Sequence, residues 1–336
     1  MTAMPKSGGR FQAVLGTGWL LLGLAAWLYA RAKNLAGPAA FAVGAAFLAE
    51  FPCYISAGFD AVRHRLASLG KIRLAALMLA SALAPYLISS EAAGSFDVRA
   101  LLLLAAIAGV AAFWYVLLPV CAWTDAALLI LLAATLLSGV FDRIYISPLP
   151  KLSISILGHL MLIRTAAWAV LGIRGAGPNG GGIAAVEARF NFWPDAQQWL
   201  TGLRYFAALL PAAGVALWSL GLARLRPHPL NAGLALATFF GILWVVALSE
   251  EFFFRGLLQP WIAAWTGSSR AGLLATSLLF GSAHLAFQHR FPNWRFAIVA
   301  AIAGYFYGLA SQRGRGVQAS MVTHALTVTL WRVFFQ

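Results

Sequence analysis

The uncharged run 231–249 leads directly into Ser249-Glu250-Glu251-Phe252-Phe253-Phe254-Arg255. Ionisable groups set so deep in apolar sequence are costly to keep and therefore mark candidate sites. On a helix Glu251 and Arg255 are i, i+4 neighbours in the favourable order and can pair. Glu250, rotated about 100° from Glu251, is left free to face something else. One carboxylate is then neutralised as part of the structure, and the other is available as a base. Downstream, Phe280-Gly281-Ser282-Ala283-His284 and Thr323-His324-Ala325-Leu326-Thr327 each put one histidine into an apolar run. With the helix break at Gly267-Ser268-Ser269, Glu250 and His284 each lie 17 positions from Gly267. An antiparallel hairpin sets those two at one depth, facing each other. His324, about nine residues into its run from the Arg313/Arg315 loop, comes to a similar depth. In the N-terminal half the ionisable groups within apolar runs are Glu50, His159 and Arg164. Glu50, beside Pro52, reaches an interface, while His159 and Arg164 snorkel or face a partner helix.

The elements that must carry these residues follow from composition. Of 336 residues, 61% are hydrophobic and only 10% charged, against roughly half and a quarter in a soluble domain. This excludes a soluble globular enzyme, a disordered chain and a fibrous repeat. A bilayer core needs about 20 mostly apolar residues per helical span. Charge-free windows of that kind occur at 11–30, 34–49, 74–90, 100–124, 126–141, 205–223, 227–249, 271–289, 296–312 and 316–331, with a weaker one at 152–173. The expected fold is an all-α polytopic membrane protein with ten or eleven transmembrane helices, since alternating strand patterns are absent. The first window reads as a retained span, not a cleaved signal.

The net charge of +14 comes from 24 Lys and Arg against 10 Asp and Glu. These bases sit singly or in small groups between apolar runs, as in loops facing an anionic inner leaflet, and do not form a nucleic-acid footprint. Arg63, Arg65, Lys71 and Arg73 make the strongest cytoplasmic loop, and Glu91, Asp97 and Arg99 fit the outside. Cys53 and Cys121 supply neither a disulfide framework nor a Cys-based metal site. Segment 174–198, with Gly-Ala-Gly-Pro-Asn-Gly-Gly-Gly at 175–182, rules out a continuing helix. It lacks the lysine of a phosphate-binding loop and reads as a linker. The chain divides into an N-terminal multi-helix module (1–173), this linker, and a C-terminal domain (199–336). Gly304 and Gly308 give the penultimate span a small-residue face for close helix packing.

Glu-Glu-x-x-x-Arg at 250–255, Phe-x-x-x-His at 280–284, a small-residue helix and a final His324-containing helix, in that order over about 230–332, resemble the CPBP family. This is the family of CAAX prenyl endopeptidases and bacteriocin-processing or bacteriocin-immunity proteins, also called Abi. The resemblance implies a glutamic-type intramembrane endopeptidase without a metal or other cofactor. It acts on a membrane-associated protein or peptide within a lipid bilayer, in CAAX-type or protein-sorting-type processing, in a bacterial-type inner or plasma membrane. It further implies that Glu250 is the general base activating a water, that His284 helps hold that water and that His324 stabilises the oxyanion. Glu251 and Arg255 are then the structural pair that fixes the site. A desolvated carboxylate suits a general base, and a donor aimed at the developing oxyanion contributes about 3–4 kcal/mol. The chain departs from the family at Val328, where the last motif usually has Asn or Asp four residues after its histidine. The N-terminal part, to about residue 195, lies outside the resemblance.

Two other readings stand beside this one. Glu250, His284 and His324 could be the three protein ligands of a catalytic zinc, although the His-Glu-x-x-His spacing is absent. Alternatively, the chain is a non-enzymatic immunity or scaffold protein with a degraded site, which Val328 favours. A transporter would show an internal repeat of broken helices, and none is apparent.

Overall fold

A computed structural model describes residues 7–91, 94–149, 152–175, 193–222, 232–286 and 291–335. Every element among these residues is helical. The N-terminal helices are α1 (Ser7–Ala32), α2 (Pro38–Ser56), α3 (Asp60–Ala67), α4 (Lys71–Glu91), α5 (Val98–Leu117), α6 (Ala122–Leu137), α7 (Val140–Ile144) and α8 (Ile156–Arg174). Among the described residues, each of the eleven apolar windows overlaps a helix. Eight helices among the described residues are long and apolar enough to cross a membrane, with Ala235–Thr266 counted as one. The difference from ten or eleven has a plain cause. Helix α6 has only 16 residues, and the helices carrying His284 and His324 are short or rich in Ser, Thr and Gln.

The chain forms two compact units, Met1–Ala184 and Ala185–Gln336. The glycine-rich centre of the expected linker lies outside the described residues. Its two ends belong to helices. Arg174 closes α8, and Asp195 caps α9 (Ala196–Ser219), accepting from the Gln198 amide at 2.8 Å while the Gln198 side chain accepts from the Asp195 amide at 2.9 Å. This reciprocal box satisfies two donors that a helix start otherwise leaves open.

In the first unit, α8 is the central helix, with 83% of its apolar window buried. It packs against α2, α4 and α5. Arg164 Nε donates to Glu50 Oε1, and Arg164 Nη1 to Ser81 Oγ at 3.0 Å. At the end of α8, Arg174 grips Asp125 with two bonds of 2.9 and 2.7 Å, and the Tyr115 hydroxyl donates to the same carboxylate at 2.6 Å. Glu50 therefore does not reach an interface, and Arg164 does not snorkel: each neutralises the other inside the bundle. His159 stays with its own helix, its Nδ1 2.9 Å from the Ser155 carbonyl and its ring against Phe141.

In the second unit, α10 runs without a break through Ala232–Gly241, Ile242–Ala247, Leu248–Glu251, Phe252–Leu258 and Gln259–Thr266. Gly267, at φ 67°, ends it in the left-handed conformation that a residue without Cβ adopts most readily. The Ser268 hydroxyl then caps α11 (Ser269–Ala283), accepting from the Ala271 amide at 3.2 Å. The hairpin turn thus falls where its Gly-Ser-Ser signature puts it. Helix α12 (Trp294–Gly314) packs against α9, α11 and α13 (Val317–Phe334), and α13 also lies along Ile242–Ala247 of α10.

Candidate active site

The carboxylates sit on a four-residue α-helical turn, Leu248–Glu251, flanked by two π-helical stretches, Ile242–Ala247 and Phe252–Leu258. Such widened turns inside α-helices recur at functional sites because the extra residue re-aims the side chains around it. Here they turn Glu250 and Glu251 towards α13. Glu251 is fully buried, and its Oε1 is 3.2 Å from Arg255 Nη1 and 2.9 Å from His324 Nδ1. The ring's other nitrogen, Nε2, lies 4.0 Å from Glu250 Oε2. Glu250 differs from its neighbour in access, because its side chain keeps a third of its surface exposed while that of Glu251 has none. The two carboxylates diverge from their helix, yet both reach His324, because an imidazole presents nitrogens on two different edges.

Arg255 is held from three directions. Besides Glu251, its Nη2 donates to the Gly304 carbonyl at 2.8 Å, and its guanidinium lies over the ring of Phe280 at 4.6 Å and that of Tyr307 at 5.4 Å. One turn along α10, Gln259 Nε2 reaches the Gly308 carbonyl at 3.4 Å. This explains the small-residue face of α12. A Cβ on Gly304 would stand 3.1 Å from Arg255 Nη2, and one on Gly308 would stand 2.7 Å from Gln259 Oε1. The glycines let two polar side chains of α10 reach helix carbonyls, each of which has a second lone pair to accept with.

His284 caps α11, its Nδ1 2.8 Å from the Phe280 carbonyl. Its ring lies 4.7 Å from that of Phe280, and Phe280 in turn meets the His324 ring edge-on at 5.9 Å. Phe280 is therefore the common neighbour of His284, His324, Arg255 and Tyr307. At three residues the structure goes beyond the sequence reading. Phe280 entered only as a motif letter. Tyr307, stacked on His324 at 4.7 Å and 14°, drew no notice. Glu251 was paired with Arg255 alone, although it also holds His324. For Tyr307 a signal existed: it lies between Gly304 and Gly308, on the stretch of α12 that Arg255 and Gln259 of α10 reach.

The hydroxyls near Val328 are engaged elsewhere. Thr323 donates to the carbonyls of Gly202 (2.9 Å) and Ala319 (3.0 Å), and Thr327 to that of Thr323 (2.7 Å). Glu250, His284 and His324 do not form a group that could hold a metal ion, and among the described residues no three His, Cys, Asp or Glu side chains do.

The sequence model of the family described as type II CAAX prenyl endopeptidase Rce1-like matches residues 231–330 of this chain. That stretch contains Glu250, Glu251, Arg255, His284 and His324. No curated protein and no solved structure matches the chain.

Proposed function

We propose, from the match of residues 231–330 to the Rce1-like model of type II CAAX prenyl endopeptidases, that this chain hydrolyses peptide bonds by a water that Glu250 activates. The observation that carries this reading is the division between two adjacent carboxylates. Glu251 is sealed against Arg255 and His324, while Glu250 is part-exposed with His324 Nε2 4.0 Å away. A gap of that size between two polar groups suits a bridging water.

In the proposed reaction Glu250 takes a proton from the water as its oxygen attacks the scissile carbonyl. His284 helps hold the water. His324, with a proton on each nitrogen, gives Nδ1–H to Glu251 and Nε2–H to the oxyanion. The two carboxylates are then balanced by Arg255 and this imidazolium, so the cluster carries no net charge into its apolar surroundings. On collapse of the tetrahedral intermediate the C–N bond breaks, and Glu250 returns the proton to the leaving amine. With Val328 in place of an amide and the nearby threonines committed to carbonyls, His324 is the side-chain donor this reading relies on. The substrate is a membrane-associated protein or peptide, and the working membrane is a bacterial-type plasma membrane.

A second reading rests on Val328: a membrane immunity or scaffold protein that keeps the fold and has lost turnover. One assay separates the two. Purified protein in lipid is offered a pool of membrane-anchored peptides, with and without C-terminal CAAX sequences, and the products are mapped by mass spectrometry. Discrete new termini support the endopeptidase, and an intact pool at high enzyme supports the scaffold.

A further inference from the structure

We infer that Tyr307 is a positioning residue for the proposed reaction, a lock that fixes the plane of the His324 ring so that Nε2 points at Glu250. An imidazole on a flexible side chain can turn about two bonds. One hydrogen bond at Nδ1, here to Glu251 at 2.9 Å, fixes one edge of the ring and leaves its tilt about that bond open. The tilt is closed off by Tyr307, whose ring lies nearly parallel to that of His324 with 4.7 Å between centroids. Phe280 meets the His324 ring edge-on at 86° and so blocks swivel in another direction.

Tyr307 is itself immobilised. It is 2% exposed, Phe280 lies against it at 5.8 Å, and Arg255 stands 5.4 Å over its ring. Through its stack on His324, Tyr307 joins α12 to α13. The stack, not the hydroxyl, acts on the imidazole. Position 328 shares a helix face with His324 and holds a valine, which can offer the ring no polar support, and this leaves the stack as the restraint on its tilt.

The test uses Tyr307→Leu and Tyr307→Phe in the full chain and reads two quantities. The first is diethyl pyrocarbonate modification of His324, read by mass spectrometry, with hydrogen-exchange protection of α9 and α10, in the same unit, as the reference for a folded domain. The second is steady-state cleavage of a membrane-anchored peptide, and this arm rests on the endopeptidase reading. In Tyr307→Leu, His324 modification should rise at least about fivefold. Its kcat should fall about 10- to 100-fold with KM within about twofold, as expected for a misaligned catalytic group. Tyr307→Phe keeps the stack and should restore both quantities to within about threefold of wild type. If protection of α9 and α10 is lost as well, the second unit has unfolded, and Tyr307→Met, closer in volume, takes its place. The inference is overturned if His324 modification and kcat stay at wild-type values without the aromatic ring. It is equally overturned if Tyr307→Phe is as damaging as Tyr307→Leu, or if only KM moves. Absence of cleavage by the wild type, with the labelling as expected, would contradict the endopeptidase reading and leave the lock standing.

Discussion

Glu251 serves two partners, Arg255 and His324, with one oxygen, and this sets what its removal does. Arg255 and His324 both lean on Oε1, from 3.2 and 2.9 Å, inside a site where the side chains of Glu251 and Arg255 have no exposure. Taking away one partner of a buried pair leaves the other charge unpaired, at a cost of about 3–5 kcal/mol. Glu251→Ala should therefore lose thermal stability by several degrees and lose turnover with it, checked by a melting curve in detergent beside the peptide assay. A variant as stable as wild type would contradict the burial described for this pair. The i, i+4 pairing of Glu251 with Arg255 was legible in the sequence because spacing on one helix encodes it. The bond from Glu251 to His324 was not, since it joins residues 73 positions apart and depends on how two helices are rotated. The pairing of Glu50 with Arg164, 114 positions apart, was hidden for the same reason. Composition marks both groups as costly but does not say which faces which.

At the scale of elements, the site depends on close helix approach. Gly281 lies three residues before His284, where α11 meets α12. A Cβ there would stand 2.6 Å from the Ala297 carbonyl oxygen and 2.7 Å from the Ala301 Cβ. Backbone cannot swing aside as a side-chain tip can, so Gly281→Ala must push the two helices apart. Overpacking of this kind costs about 1–3 kcal/mol. The variant should melt earlier and turn over more slowly, because His284 moves with the end of α11. Unchanged melting and turnover would mean that the helices are not in contact at this point. Helix existence was readable throughout, because apolar length forces a membrane-buried backbone to satisfy its own hydrogen bonds. The π-helical stretches on either side of Glu250 and Glu251 were not readable. They leave no mark in hydropathy, yet they flank the single turn that carries both carboxylates.

For the whole molecule, the candidate site is built entirely from residues of the second unit, whereas the first unit has its own buried ion pairs and its own core. The account expects the two to respond separately to damage. Arg164→Met strands Glu50 in the interior of the first unit, again at about 3–5 kcal/mol. Heat or denaturant should unfold that unit earlier, with the kcat of the folded protein within about threefold of wild type. Protection of individual peptides by hydrogen exchange would show which unit loosens. A loss of kcat as large as that of a site variant would mean that the first unit takes part in turnover.

The central claim is that Glu250 is the base. Glu250→Gln keeps the size and hydrogen-bonding shape of the side chain and removes its ability to take a proton. The decisive measurement is the single-turnover rate of peptide cleavage by this variant beside wild type, in the same lipid, with melting temperatures recorded for both. The account predicts a fall of at least about 10²-fold at a melting temperature close to that of wild type, since Glu250 is the part-exposed carboxylate and Glu251 carries the structural load. Near-normal cleavage by folded Glu250→Gln would contradict it and remove Glu250 from the mechanism.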